Sequence, residues 1–204
     1  MPAQSLRSLQ SLPIFPLNTV LFPDGLLPLR IFEARYMDMA RECLKTKAPF
    51  GVCLIKEGKE VGAPATPEPI GSLAHIVECD MEQLGLLTLS TRGGQRFRIL
   101  ERTASPNGLI RAQVELLPDE EDAPIPEAFQ GCVRILEAII RERGEMVFAS
   151  PARLTSATWV GYRLTEILPA SHTAKQKLLE LEGSVTRLDV LYQFLEQRGL
   201  LGDR

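Results

Sequence analysis

The chain contains two histidines, which limit the acid–base and metal chemistry that its side chains can support. His75 lies in an apolar segment, where a hydrogen-bonded structural histidine is the usual arrangement. His172 stands between Ser171 and the nearby Lys175, a set of side chains that suggests a small hydrolase. Nucleophilic catalysis, however, needs a base held against the nucleophile in space, which neighbours at one helix start do not provide. The residues therefore predict a protein that is not an enzyme, and a hydrolase based on Ser171 and His172 is the alternative.

Metal and cofactor sites lack their usual sequence signals. The four cysteines form no C-x-x-C pair, the spacing that begins a zinc or redox site, and they stand in apolar surroundings. The segment Gly58-Lys59-Glu60 lacks the preceding glycine and the hydroxyl of a phosphate-binding loop. We therefore expect free buried thiols in a reducing compartment, no catalytic residues, no metal and no cofactor. The cysteines are Cys43, Cys53, Cys79 and Cys132.

Targeting and membrane-spanning signals are also missing. The first residues lack the basic-then-apolar order of a signal peptide, and no stretch approaches about 18 continuous apolar residues. These features predict a cytoplasmic protein without a membrane partner. The length of 204 residues suits one large domain or two small ones, and the 45% of apolar residues suffices for a core.

A group of arginines near the middle of the chain suggests a second kind of partner. If they lie on adjacent strands, they can form a basic platform for RNA, with Arg96 and Arg98 on one face. Aromatic stacking partners are missing from that face, however, and the first 118 residues are nearly neutral. An RNA-binding module is therefore an alternative, and nucleic acid is not the expected partner. The arginines are Arg92, Arg96, Arg98, Arg102 and Arg111.

The segment Leu29–Tyr36 places three charged residues where a strand pattern changes to a helix pattern. Glu33, near the predicted helix start, is favoured by the helix dipole and can pair with Arg30 or Arg35. An ion-pair latch between helix and strands is the favoured interpretation. The functional alternative is the polar lip of a groove.

The elements of the first half are short strands separated by turn residues. Strand patterns occupy 12–17, 20–23, 26–32, 50–56, 70–79, 84–91, 95–99 and 109–117, and residues 33–45 form one amphipathic helix. Gly93-Gly94 predicts a hairpin turn, and the prolines of 58–69 predict an extended loop. Five or six such strands indicate a small barrel, because closure removes exposed edges.

The second half has a helical pattern. The acidic, proline-flanked run 118–124 predicts a linker, which divides the chain into a β-rich domain, 1–118, and an α-helical domain, 119–204. Helices are predicted at 125–143, 155–168, 174–182 and around 188–195. The third begins either with a Thr173-x-x-Gln176 capping box or with Ser171 as a competing N-cap.

The opening motif is similar to that of a known family. Leu12-Pro13-Ile14-Phe15-Pro16-Leu17-Asn18-Thr19-Val20-Leu21-Phe22-Pro23, followed by Leu27-Pro28-Leu29-Arg30-Ile31-Phe32-Glu33-x-Arg35-Tyr36, resembles the N-terminal, substrate-recognition domain of the ATP-dependent protease Lon. Later stretches fit as well, among them Ile70–Ala74, Gly94-x-Arg96-Phe97-Arg98-Ile99 and Leu168-Pro169. The resemblance covers about residues 12–198.

The resemblance implies an α+β fold: a six-stranded PUA-like pseudobarrel with one embedded helix, followed by a four-helix segment packed against it. In Lon this region helps to capture unfolded or tagged protein segments and contributes to ring assembly. The ATPase and Ser–Lys peptidase modules are absent from this chain, which resembles the stand-alone bacterial Lon-domain proteins. The family gives no catalytic residues to carry over.

The sequence and the resemblance together predict a non-catalytic module that binds polypeptide segments or a partner protein, with a protease as one such partner. Apolar strands rich in proline leave edges available for strand addition or apolar contacts. Apolar residues of the helical half can also form a homodimer contact. The candidate groove consists of Phe15, Phe22, Arg30, Phe32, Glu33, Arg35 and Tyr36.

Overall fold

The computed structural model describes residues 8–144, 148–149 and 151–201, and the chain forms two compact units, Met1–Asp119 and Glu120–Arg204. The first unit is a sheet with one helix and the second is helical. No helix among the described residues is long and apolar enough to cross a membrane.

From residue 8 onward, the first unit contains six longer strands, as predicted, one two-residue strand and one helix. In chain order they are β1 (Ser8–Leu17), β2 (Leu26–Ile31), α1 (Ala34–Thr46), β3 (Phe50–Glu57), β4 (Thr66–Pro67), β5 (Ile70–Gln83), β6 (Leu86–Ala104) and β7 (Ile110–Leu116). Five of the strands follow the order β1-β7-β6-β5-β3, and a parallel pairing of β1 with β3 closes this order into a ring. Within the described part of the chain β2 pairs only with β6, and β4 pairs with β3, so these two strands lie off the ring.

Two sequence expectations for this unit are wrong. Residues 20–23 form no strand, because Pro23 lacks an amide hydrogen and the chain turns here: the amide of Gly25 donates to the carbonyl of Phe22 at 2.9 Å, and Asp24 has φ 61°. The Gly93-Gly94 pair is not a turn but lies in the middle of β6, which is one continuous strand of 19 residues. The true hairpin turn, at Leu84-Gly85, has Gly85 at φ 84°.

The two glycines of β6 allow close approach of the backbone to its neighbours. A Cβ on Gly93 would lie 2.0 Å from the carbonyl oxygen of Phe22, and a Cβ on Gly94 would lie 2.7 Å from Nε2 of His75. Glycine inside a strand commonly marks such an approach or a bend, and the β5–β6 register shifts at this point. The Gly93-Gly94 pair, which the sequence suggested as a turn, therefore lets β6 continue as one strand. Its first part pairs with β2 and its last part pairs with β7.

The helix α1 covers one end of the core of this unit. Its buried residues Tyr36, Met39, Ala40 and Cys43 recur at three- and four-residue spacings and pack with the inward side chains of β1, β2 and β3. A second buried group, which includes Ile14 and Phe97, fills the other part of the unit. The strands and the helix are thus fixed by burial of alternating apolar side chains.

The described residues of the second unit form four α-helices, as predicted. They are α2 (Gln130–Arg143), preceded by a short 3-10 helix (Glu127–Phe129), α3 (Ala157–Ile167), α4 (His172–Glu180) and α5 (Ser184–Gln197). Trp159, Leu164, Leu188 and other buried apolar residues form one core between them. Ser171 caps α4, as predicted, because its hydroxyl oxygen accepts a hydrogen bond from the amide of Ala174 at 3.2 Å.

A buried ion pair lies within this helical core. Arg187 on α5 is fully buried and its Nη1 donates to Oε2 of Glu120 at 2.8 Å. Its guanidinium also donates to the carbonyls of Leu178 and Leu181 and lies 4.1 Å from the ring centroid of Tyr162. The charge is therefore neutralised and hydrogen-bonded, which a buried arginine requires.

Candidate functional site

A cleft of about 250 Å³ opens in the first unit between β2, the end of β1 and the start of α1. β2 forms one wall, and the segment that includes Glu60 and Val61 contributes to the lining. Most of the lining is apolar, with charged groups of both signs among it. The lining residues are Phe15, Leu17, Thr19, Leu27, Pro28, Leu29, Arg30, Ile31, Phe32, Glu33, Tyr36, Glu60 and Val61.

The structure brings most of the predicted groove residues to this cleft. Those that line it are Phe15, Arg30, Phe32, Glu33 and Tyr36.

The other two predicted groove residues do not line the cleft. Phe22 is fully buried in the core, and Arg35, 6% exposed, lies behind the lining. A motif of apolar and charged residues gives no signal that separates these inward positions from the lining ones.

Aromatic stacking builds the inner part of the cleft. The rings of Phe15 and Tyr36 stack at a centroid distance of 3.9 Å and an interplanar angle of 22°, and Phe50 packs on the other side of Phe15 at 6.3 Å. These rings are buried and their rotamers are fixed by packing. The cleft therefore has a rigid apolar base.

Arg35 positions two of the lining residues. Its Nη2 donates to Oε2 of Glu33 at 2.8 Å, and its guanidinium carbon lies 4.7 Å from the Tyr36 ring centroid. Its Nη1 donates to the carbonyl of Gly108 at 3.4 Å. The predicted ion pair forms between Arg35 and Glu33, but both residues stand at the start of α1, so it fixes the helix start and does not link the helix to a strand; Arg30 is exposed on β2.

Carboxylates give the cleft an acidic side. Burial raises the pKa of the Tyr36 hydroxyl, Arg35 acts against this shift, and the nearby carboxylates of Glu33 and Glu60 raise the pKa further. The backbone amide of Asn18 donates to Oε1 of Glu60, which holds this carboxylate in place. Tyr36 thus remains a neutral hydrogen-bonding group near two carboxylates at physiological pH.

Apolar side chains at the cleft are open to solvent. Phe32 is 60% exposed and Val61 is 56% exposed, and both line the cleft. Single exposed apolar residues are ordinary, but two that line the same apolar cleft offer apolar surface to a partner. Sequence reasoning did not find Val61 or Glu60, because they lie in a segment that was interpreted only as an extended loop.

The arginines that suggested an RNA platform do not form one basic surface. Arg96 is buried although Arg98, two residues away on the same strand, is exposed. Nη2 of Arg92 pairs with Oδ1 of Asp24 at 2.8 Å, and Arg111 pairs with the carboxylate of Glu42. These pairs neutralise part of the positive charge on which phosphate binding depends.

Ser171 and His172, the residues of the hydrolase alternative, lie at the start of α4. The Ser171 hydroxyl caps α4, and His172 is the first residue of that helix. Among the described residues, no group of three or more His, Cys, Asp or Glu side chains is arranged to hold a metal ion. All four cysteines are free thiols, and Cys79 is the exposed one.

The closed ring of strands followed by a four-helix unit defines the class of the molecule, an α+β domain built on a small barrel. The chain belongs to the ATP-dependent protease La (LON) substrate-binding domain family, whose model matches residues 11–197. The resemblance predicted from the opening motif is therefore confirmed.

Solved structures and relatives agree with this family. A Lon N-terminal domain protein from Xanthomonas campestris is 33% identical with a TM-score of 0.76, covering 91% of this chain and 98% of that one. A Lon protease from Anaeromyxobacter dehalogenans is 22% identical over 92% of this chain and 23% of its own length. Protein cereblon from Danio rerio is 28% identical over 55% of this chain and 26% of its own length. The chain thus spans about a quarter of the length of the Lon protease and of cereblon.

Proposed function

We propose that this protein is a non-catalytic module that binds polypeptide segments in the cleft beside β2. The observation that carries the proposal is an apolar cleft with a rigid aromatic base whose mouth leaves Phe32 and Val61 exposed. Burying such side chains against a partner contributes about 1.5–3 kcal/mol for each one. The family supports this proposal, since its model describes a substrate-binding domain.

The proposed partner is an unfolded or tagged polypeptide, presented to an ATP-dependent protease. Relatives named as Lon proteases support the second part of this proposal. Four free cysteines fit a reducing compartment, and we therefore place the protein in the cytoplasm.

The test is binding of a permanently unfolded probe, reduced and carboxymethylated α-lactalbumin carrying a fluorophore, measured by fluorescence anisotropy. We expect the wild-type protein to bind and V61S to bind about three- to tenfold more weakly, since replacing a partly exposed apolar side chain at the cleft mouth removes about 1 kcal/mol of apolar contact. V77S is the matched control, because Val77 is 53% exposed on β5 and does not line the cleft. No binding by folded wild-type protein, or equal losses in V61S and V77S, would contradict the proposal.

A further inference from the structure

The strand β2 is hydrogen-bonded along one side only. It pairs with β6 from Leu26 opposite Arg92 to Ile31 opposite Leu87. Among residues 8–144, no strand pairs with its other side. That free side lies at the cleft, because residues 27–31 of β2 all line it. An unpaired strand edge is therefore part of the proposed binding site.

Two hydrogen bonds show which backbone groups face the free side. The amide of Gly93 donates to the carbonyl of Gly25 at 2.8 Å, and Oγ1 of Thr91 donates to the carbonyl of Leu27 at 2.8 Å. Because partners alternate along an antiparallel pair, the backbone groups of every second residue from Leu27 to Ile31 face β6. Those of Leu26, Pro28 and Arg30 consequently face the free side, and Pro28 and Arg30 line the cleft there.

Pro28 agrees with this alternation. Proline has no amide hydrogen, so it is tolerated in a strand where its nitrogen faces away from the neighbouring strand. The free edge therefore offers three carbonyls, from Leu26, Pro28 and Arg30, and two amides, from Leu26 and Arg30. This spacing matches one side of an extended backbone, which carries its own donors and acceptors at every second residue.

Charges beside the edge add a side-chain preference. Arg30 is exposed, so a residue paired opposite it on an added strand would point to the same outer face. An acidic side chain fits there. The neighbouring residues of an added strand would point to the opposite face, that of Leu29 and Ile31, where the aromatic base of the cleft favours apolar groups.

We infer that β2 receives an extended segment of another polypeptide as an added strand, with apolar side chains directed into the cleft and an acidic side chain beside Arg30. The inference rests on the proposed function and specifies how the segment is held: by the backbone as well as by apolar contact. Strand addition of this kind gives affinity through main-chain hydrogen bonds and selectivity through alternate side chains.

The test uses overlapping 12-residue peptides of α-lactalbumin, from which the tightest binder is remade as a series with one N-methylated amide at each position. N-methylation removes a donor and keeps the side chain. We expect binding to weaken about tenfold at alternating positions, those that donate to the carbonyls of β2, and to change less than about threefold at the positions between them. If the loss of affinity does not alternate from one N-methylated position to the next, strand addition is wrong.

A pair of protein variants tests the same edge from the other side. R30P removes the amide that faces the cleft, whereas R30A removes the side chain and keeps this amide. The backbone of residue 30 faces away from β6, so we expect both variants to fold, as circular dichroism will show. Binding of the peptide should weaken about tenfold in R30P and less than about threefold in R30A. Equal affinities of R30P and R30A would overturn the inference, and if R30P does not fold the peptide series decides.

The outcomes separate the two proposals. If neither unfolded α-lactalbumin nor any of its peptides binds the folded protein, the proposed function fails and strand addition fails with it. If the unfolded protein binds through the cleft but the N-methylated series shows no alternation, only strand addition is wrong and recognition is by apolar contact.

Discussion

At the scale of single residues, Arg35 and Arg187 are both buried, and each is held by one carboxylate and one aromatic ring. Arg35 pairs with Glu33 beside Tyr36, and Arg187 pairs with Glu120 above the ring of Tyr162. A planar guanidinium can make these contacts together, which the compact ammonium group of lysine cannot. The first arginine supports the candidate cleft and the second supports the helical core.

The Arg187–Glu120 pair gives a stability prediction. Removing the carboxylate with E120A leaves the fully buried guanidinium without its counter-charge. Breaking a buried pair in this way costs about 3–5 kcal/mol, because the remaining ion is not solvated. We expect the free energy of unfolding, measured with urea, to fall by about that amount.

The control for this prediction is an exposed pair of the same unit. Nζ of Lys177 lies 2.7 Å from Oε2 of Glu180, and the lysine side chain is 72% exposed. Because water solvates the partner that remains, K177A should change the unfolding free energy by less than about 1 kcal/mol. Similar losses in E120A and K177A would show that the buried pair does not stabilise the helical unit.

At the scale of elements, β6 holds the first unit together, because it pairs with β2, β5 and β7. Its length depends on Gly93, where the carbonyl oxygen of Phe22 occupies the space of a side chain. The oxygen belongs to the backbone, so it cannot move aside as a flexible side chain would. The continuity of this strand, and with it the position of β2 beside the cleft, depends on a residue without a Cβ.

The variant G93A tests this role. We expect it to lose about 3 kcal/mol or more of unfolding free energy, because the Cβ would lie 2.0 Å from that oxygen and both backbones must shift. G62A is the control: it has no atom within 4 Å of its Cβ, and only its φ of 98° is unfavourable for alanine. That strain costs about 1–2 kcal/mol. A smaller loss in G93A than in G62A would refute the argument from close approach.

The helix α1 could be predicted from the sequence, whereas the role of Gly93 could not. The apolar spacing of Tyr36, Ala40 and Cys43 located α1, because periodicity reflects a buried face directly. Gly93-Gly94 led to a false turn, because glycine marks both turns and close approaches and only the three-dimensional neighbour distinguishes them.

The residues that line the candidate cleft also include some that the sequence could single out and some that it could not. Phe15, Arg30, Phe32, Glu33 and Tyr36 belong to one contiguous motif, which the sequence could single out. Glu60 and Val61 come from a segment without periodicity, and long-range folding brings them to the motif. The residues around Glu60 and Val61 in the sequence do not indicate that these two side chains lie beside the motif.

At the scale of the whole molecule, buried thiol and tyrosine hydroxyl groups make the free energy of unfolding decrease at alkaline pH. Burial raises the pKa of the Cys43 and Cys132 thiols from 9.0 to about 11, and it also raises the pKa of Cys53 and Tyr36. In the unfolded chain these groups lose their protons at lower pH than in the folded protein. Their contribution to stability is therefore complete below pH 9 and decreases as the pH rises toward 11. Burial lowers the pKa of Lys175, which acts in the opposite direction.

We therefore expect the unfolding free energy to decrease from pH 8.5 to pH 10.5, measured with urea at constant ionic strength. In a C43A/C132A variant the baseline is lower, but the decrease with pH should be smaller, because two of the shifted groups are gone. A free energy that rises over this interval, or an unchanged slope in the variant, would contradict the assignment.

The closure of the ring by β1 has a consequence for synthesis on the ribosome. β1 emerges early, yet its antiparallel partner β7 is made much later: Arg111 donates to the carbonyl of Ser11 across 100 positions of chain. At about 5–20 residues per second, the first strand waits roughly 5–20 s for that partner. Its parallel neighbour β3 appears sooner, but two strands alone are marginal in water. The nascent chain, rather than the finished protein, is therefore the form in which this apolar strand is most exposed to aggregation and to chaperones.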